Sequence, residues 1–177
     1  MKKNYLFTRI ILLLITGFLF CLNTQAQVNL LKNGDFSDGT NSWLLELPRD
    51  ATATFSEESG EGKLVMNAAI DGEKPWHIRL KQHDIKLMKG HSYALSCNVK
   101  SSVDERFVFF AIEGSEKAMA QTRKIVSSSK GRTTKIKKTF TNEFPTGTYK
   151  LEIRLGAHAV ASDVWIDNIV LIDTSEK

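Results

Sequence analysis

Between Ala118 and Lys138 the chain carries Arg123, Lys124, Lys130, Arg132, Lys135, Lys137 and Lys138, and no acidic residue. Such a run offers positive charge to an anionic partner, whether a carboxylated or sulfated polymer or an anionic cell envelope. It reads equally as a solvated loop and an edge strand whose lysines discourage edge-to-edge pairing. Nucleic acid fits poorly, because no aromatic residue lies between Phe110 and Phe140 to stack on bases. Catalytic patterns are missing: there is no His-x-His, no H-E-x-x-H, no paired-Cys spacing and no Gly-x-Ser-x-Gly elbow. Glu46, Glu73, Asp84 and Glu113 are carboxylates of the type a glycosidase pairs across a cleft, but nothing in their spacing singles one out. Tyr93 and Tyr149 fall on apolar parities, which argues against a lyase. Cys97 alternates with Tyr93, Leu95 and Val99 on an apolar strand face and is expected to be buried and inert.

The elements that position these groups follow a leader. Lys2, Lys3 and Arg9 precede an uncharged, mostly apolar run from Ile10 to Leu22, and Thr24-Gln25-Ala26 supplies a small residue at the cleavage position. Residues 1–26 therefore read as a secretory signal peptide, and the protein is expected to be secreted or periplasmic. The run is shorter than the roughly 20 residues of a membrane span. The residue before Cys21 is Phe20, not the small residue that lipid attachment at a bacterial cysteine requires. Without the leader the formal charge falls from +4 to +1, so the chain is not a strongly basic polymer binder overall. Residues 27–177 have the length of one domain with a real core.

That domain reads as strands almost throughout. Period-two alternation is clear in His91–Ser101 and in Thr148–Leu155, where Tyr149, Leu151, Ile153 and Leu155 oppose Lys150, Glu152 and Arg154. Gly62–Ile70 groups Leu64, Met66, Ala68 and Ile70. Trp76–Lys81 sets Trp76, Ile78 and Leu80 against His77, Arg79 and Lys81. Thr133–Thr141 alternates less cleanly. Arg106–Ile112 and Val164–Ile172 are apolar on both parities and are expected to be central strands covered on both faces. Glu116–Ser129 breaks the rhythm and is compatible with a short helix, a long loop or an irregular strand pair. Gly- and Asp-rich turns separate the runs, so the expected fold is all-β, a sandwich or barrel.

Two bookends go further. The start, Asn29-Leu30-Leu31-Lys32-Asn33-Gly34-Asp35-Phe36-Ser37-Asp38-Gly39 followed by Ser42-Trp43, and the end, Asp163-Val164-Trp165-Ile166-Asp167-Asn168-Ile169-Val170-Leu171, resemble the carbohydrate-binding modules of families 4 and 9. Glu61-Gly62-Lys63-Leu64, Pro75-Trp76-His77-Ile78 and Leu87-Met88-Lys89-Gly90-His91-Ser92-Tyr93 are similar to the family's inner motifs, in the same order. The resemblance implies a jelly-roll β-sandwich of two antiparallel sheets. It also implies non-catalytic binding of a plant or microbial polysaccharide by a stand-alone module, working on its own or beside a separate glycanase or cell-surface complex. The other reading is a structural or adhesion sandwich that contacts proteins and has no sugar site.

The resemblance also nominates residues. Trp76 matches a position where an aromatic contacts the glycan, although its parity also allows it to be core. If it is core, His77, Arg79 and Lys81 form an outward face suited to an acidic sugar. Arg79 and Arg154 stand where some members carry Glu and His, and their planar donor forks suit paired hydroxyls or a carboxylate. His158 is expected at the rim. Gln121 and Arg123 lie in the stretch that in the family contributes an aromatic and an Arg; with no aromatic there, a two-platform clamp is not expected. A structural Ca²⁺ is implied at Asp35 and Lys63, through their carbonyls, and at Glu61 and Asp167, through their carboxylates. Without a metal, Asp167 would cap turn N–H groups.

Overall fold

The computed structural model of the protein describes residues 27–47, 52–66, 74–114, 118–126, 132–156 and 160–175. The proposed leader, Ala68, Ile70 and His158 lie outside them. Among the described residues there are ten strands: β1 (Leu44–Glu46), β2 (Ala53–Glu58), β3 (Glu61–Met66), β4 (Arg79–Leu87), β5 (Ser92–Ser101), β6 (Arg106–Glu113), β7 (Ala118–Val126), β8 (Thr134–Thr141), β9 (Gly147–Arg154) and β10 (Ser162–Asp173). They form two five-stranded sheets, ordered β1-β4-β9-β6-β7 and β2-β3-β10-β5-β8. Every pairing is antiparallel. From β4 onward the chain crosses repeatedly between sheets, giving the expected jelly-roll type of sandwich.

The core follows the alternation. Tyr93, Leu95, Cys97 and Val99 from β5 meet Leu151 and Ile153 from β9, with Leu64, Val164, Ile166, Val108, Phe110 and Ile112 filling the space between the sheets. Burial drives the Cys97 thiol pKa far up, so the thiol is inert at neutral pH. Of the ambiguous stretch, Ala118–Val126 is strand β7, and its remaining residues lie outside the described ones. The expectation of double coverage for Arg106–Ile112 and Val164–Ile172 is corrected. Both are central strands, but each turns one parity inward and leaves the other half-exposed, apart from the buried Ala111 of β6. In β10 a bulge between Asp167 and Val170, with Asn168 at φ 50°, moves the buried set from Val164 and Ile166 to Ile169 and Leu171.

The N-terminal motif is a clamp across the last strand. Asn29 Oδ1 accepts from the Leu171 N–H at 2.9 Å, and Asn29 Nδ2 donates to the Ile169 carbonyl at 3.0 Å. Asn33 Nδ2 donates to the Gly39 and Asn41 carbonyls, while the indole of Trp43 donates to the Asn33 carbonyl at 2.9 Å. Phe36 then lies over Gly62, where a Cβ would stand 2.6 Å from the ring. Gly34 is required for a related reason: its carbonyl accepts from Ile169 N–H at 2.8 Å, and a Cβ there would overlap the Ile169 carbonyl oxygen. Gly34→Ala is expected to destabilise the domain by about 1–3 kcal/mol, the usual cost of forced overpacking. A urea midpoint equal to that of the parent chain would contradict the clamp.

Candidate functional site

The outward parity of the first sheet carries charged side chains in cross-strand rows. One row runs Glu46, Arg79, Arg154, Phe109, Arg123 across β1, β4, β9, β6 and β7. The next runs Leu44, Lys81, Glu152, Ala111, Gln121. A third position pairs Lys150 with Glu113. Arg79 and Arg154 are thus direct partners on adjacent strands. Gln121 and Arg123 are placed in the same rows by backbone register. The face exists because Leu80, Leu151, Ile153, Phe110 and Ile112 take the inward parity and are buried.

Arg79 and Arg154 of this face are ion-paired, not free in solvent. Arg79 meets Glu46 at 2.7 Å. Lys81 bridges Glu46 and Glu152, the latter at 3.3 Å. Lys150 lies 2.7 Å from Glu152 and 3.3 Å from Glu113. Arg154 donates through Nε to Glu152 at 2.9 Å and through a second nitrogen to Glu113. At the centre, the Glu152 side chain is 0% exposed. Its burial works to raise the carboxyl pKa, but hydrogen bonds and charge from Lys150 and Arg154 outweigh that and bring it down to about 2. Glu46 is also lowered, first by its hydrogen bond from Lys81 and further by the charges of Lys81 and Arg79. Glu152 and Lys150 were not singled out from the sequence. Their alternation with Leu151 placed them on this face, but only the neighbouring strands turn them into a network.

Trp76 departs from the expected strand. Pro75–His77 forms a 3-10 turn that ends before β4 begins at Arg79. Ile78 and Leu80 go into the core while Trp76 stays 46% exposed. Core burial of Trp76 is therefore ruled out. The turn is held by the end of β9, where Gly156 N–H donates to the Pro75 carbonyl at 2.9 Å and Leu155 N–H to that of Ile78 at 2.9 Å. A Cβ on Gly156 would overlap the Lys74 carbonyl oxygen, so glycine is what lets this turn close on β9. The turn that carries Trp76 consequently lies at the start of β4, against the end of β9, three residues before Arg79.

The calcium candidates gather at the N-terminal clamp. Asp167 follows Ile166, the β10 partner of Gly62, which places it beside Glu61. Asp167 accepts from the Asn168 N–H at 2.6 Å, as a turn cap would. Burial raises its carboxyl pKa most, and the negative charges of Glu61 and Asp35 add to the rise. Glu61 is drawn to Lys100, and Lys63 to Glu58 and Asp163. Asp35 holds the Ser37 hydroxyl at 2.9 Å. Among the described residues, no group of three acidic, His or Cys side chains is set out as a ligand cage. No helix among the described residues is long and apolar enough to cross a membrane.

A family model described as a carbohydrate binding domain (CBM_4_9) matches residues 28–158. The fold is similar to a solved CBM4 structure, at 16% identity and a TM-score of 0.71 over 81% of this chain and 99% of that one. It is also similar to the N-terminal cellulose-binding domain of Cellulomonas fimi β-1,4-glucanase C, at 15% identity and a TM-score of 0.58 over 80% and 98%. A family 16 carbohydrate-binding module matches at 16% identity and a TM-score of 0.52 over 81% and 99%. No curated protein matches the chain.

Proposed function

The chain belongs to the carbohydrate binding domain family, and from that premise we propose that it holds a polysaccharide on the outer face of its first sheet. Trp76 serves as the platform, and Arg79 and Arg154 as polar anchors. The observation that carries this reading is the exposed Trp76 in the turn that leads into β4, three residues before Arg79 of the cross-strand Arg79–Arg154 pair. A sugar ring offers an apolar C–H face to an indole and hydroxyls to flanking planar donors. A protein-contact sandwich without a sugar site is less well supported, because Trp76 is exposed and available to a sugar ring, not taken up in the core.

Binding without catalysis fits the electrostatics of the face. A glycosidase keeps one carboxyl protonated by raising its pKa. Here Glu46 and Glu152 are shifted the other way, and Glu113 is shared by Arg154 and Lys150. The basic start of the chain and its apolar run support export to the periplasm or the outside. There a separate glycanase or a surface complex is the natural companion. The test is affinity electrophoresis of the chain through gels containing neutral and acidic polysaccharides, with the Trp76→Ala variant beside it. Retardation that depends on Trp76 supports the site, and migration unaffected by every glycan contradicts it.

We also propose a structural Ca²⁺ at the clamp, held by the carboxylates of Asp167 and Glu61 and the carbonyls of Asp35 and Lys63. Support comes from Asp167, whose carboxyl pKa is raised by burial and by the nearby charges of Glu61 and Asp35, a penalty that a cation would relieve. Occupancy requires Glu61 to leave Lys100. Millimolar Ca²⁺ is expected to raise Tm by roughly 5 °C relative to chelator, the size expected for a ligand well above its Kd. Asp167→Asn is expected to abolish the difference. A Tm indifferent to Ca²⁺ in the parent chain would leave Asp167 as a turn cap alone.

A further inference from the structure

The charged face is not balanced. Its described side chains comprise four cations, Arg79, Lys81, Lys150 and Arg154, against three carboxylates, Glu46, Glu113 and Glu152. The imbalance is also localised. Arg154 has two carboxylate partners, and so do Lys81 and Lys150. Among the described residues Arg79 has Glu46 alone, through one terminal nitrogen, and its Nε is buried without a hydrogen-bond partner. Glu46 is itself shared with Lys81, and its side chain is 41% exposed on the three-residue edge strand β1. Beside Arg79 stands Arg154, a like charge directly across the strand pair.

Resting on the reading that this face is the glycan site, we infer that the glycan is acidic: a uronate-bearing polysaccharide whose carboxylate docks on Arg79. Three features support it. The guanidinium is planar and matches a carboxylate with paired N–H donors, which a single sugar hydroxyl cannot use fully. A carboxylate there neutralises the surplus charge and screens the Arg79–Arg154 repulsion. Glu46 can yield Arg79 to the ligand at little cost, because Lys81 continues to hold it. The other two carboxylates do not oppose the ligand strongly, since Glu152 is fully covered by its partners and Glu113 is shared by Arg154 and Lys150. Trp76, exposed in the turn before β4, remains free to take the apolar side of a neighbouring sugar ring.

The experiment compares polygalacturonate with the same polymer fully methyl-esterified, which keeps the backbone and removes the charge. Alginate and glucuronoxylan serve as further uronate probes, and unsubstituted xylan and β-glucan as neutral ones. Affinity electrophoresis of the full chain should show at least one uronate polymer bound about tenfold or more tighter than any neutral or esterified one, the scale of one charge-assisted bond. High salt should remove that preference. Arg79→Gln should abolish it, while Glu46→Gln, which deletes the competing carboxylate, should strengthen it; thermal melting checks that both variants fold. Equal binding of charged and neutral polymers, or a preference indifferent to Arg79→Gln, overturns the inference and leaves the glycan site standing. A chain retarded by none of these polymers overturns both.

Discussion

Trp76→Ala is expected to weaken polysaccharide binding by about 30-fold or more, the effect of losing an aromatic hot spot of roughly 2 kcal/mol. Its melting temperature should remain nearly that of the parent chain. The two readouts separate because of where the residue sits. Trp76 belongs to the Pro75–His77 turn, stays 46% exposed and has one aromatic neighbour among the described residues, the His77 ring at 6.4 Å. Exposed positions of this kind usually change stability by no more than about 0.5 kcal/mol. The other tryptophans differ. Trp43 is buried against Phe36 at 5.7 Å, and Trp165 is tied to Glu58 by its indole N–H on the opposite sheet. Trp43→Ala should therefore cost about 3–5 kcal/mol of stability. If Trp76→Ala retained full retardation, the platform would have to be sought elsewhere on the sandwich.

The second large effect concerns the centre of the charged face. Glu152→Ala is expected to cost about 3–5 kcal/mol, because it strands Lys81, Lys150 and Arg154 around a site closed to solvent. In a domain of this size that corresponds to a Tm roughly 10 °C lower. The pH dependence has a definite sign. The folded-state pKa of Glu152, about 2, lies below the ordinary 4.5, so the folded protein releases this proton more readily than the unfolded chain does. Its contribution is complete above about pH 5 and disappears as pH falls from there toward 2. Urea midpoints at pH 7, 4 and 3 should drop for the parent chain and drop less for Glu152→Ala. Parallel declines would mean that Glu152 carries no linked stability. Since Glu152 anchors Arg154 and Lys150, the variant should also bind glycan more weakly even where it remains folded.

The alternation of Tyr93, Leu95, Cys97 and Val99, and of Tyr149 through Leu155, determined which faces turn inward. An antiparallel strand permits one inward parity, and burial selects it. The opening motif was legible for a similar reason. Asn29, Asn33, Gly34 and Phe36 each answer a local demand: a side-chain amide bridging backbone groups, a close approach without a Cβ, or a ring laid over Gly62. Such demands leave few substitutes, so they mark the sequence. The strand beyond Glu116 was less legible because its apolar and basic residues lack a clean period, and pairing with β6 supplies what local preference does not.

The site was legible only as a set of residue types. Alternation put Arg79 and Lys81 on one parity and Lys150, Glu152 and Arg154 on another, but could not say that the two strands are neighbours. That adjacency joins segments some 75 residues apart and follows from the register Arg79↔Arg154, Leu80↔Ile153, Lys81↔Glu152. Only the tertiary structure turned two polar strand faces into a single ion-paired surface with a carboxylate buried at its centre. It also decided the fate of Trp76. Period two allowed that residue to join Ile78 and Leu80 in the core. Pro75 and the closure of Gly156 onto the preceding turn stop the strand at Arg79, and the indole is left outside. Faces are set by the short-range geometry of a strand, whereas a binding surface is set by which strands come to lie side by side.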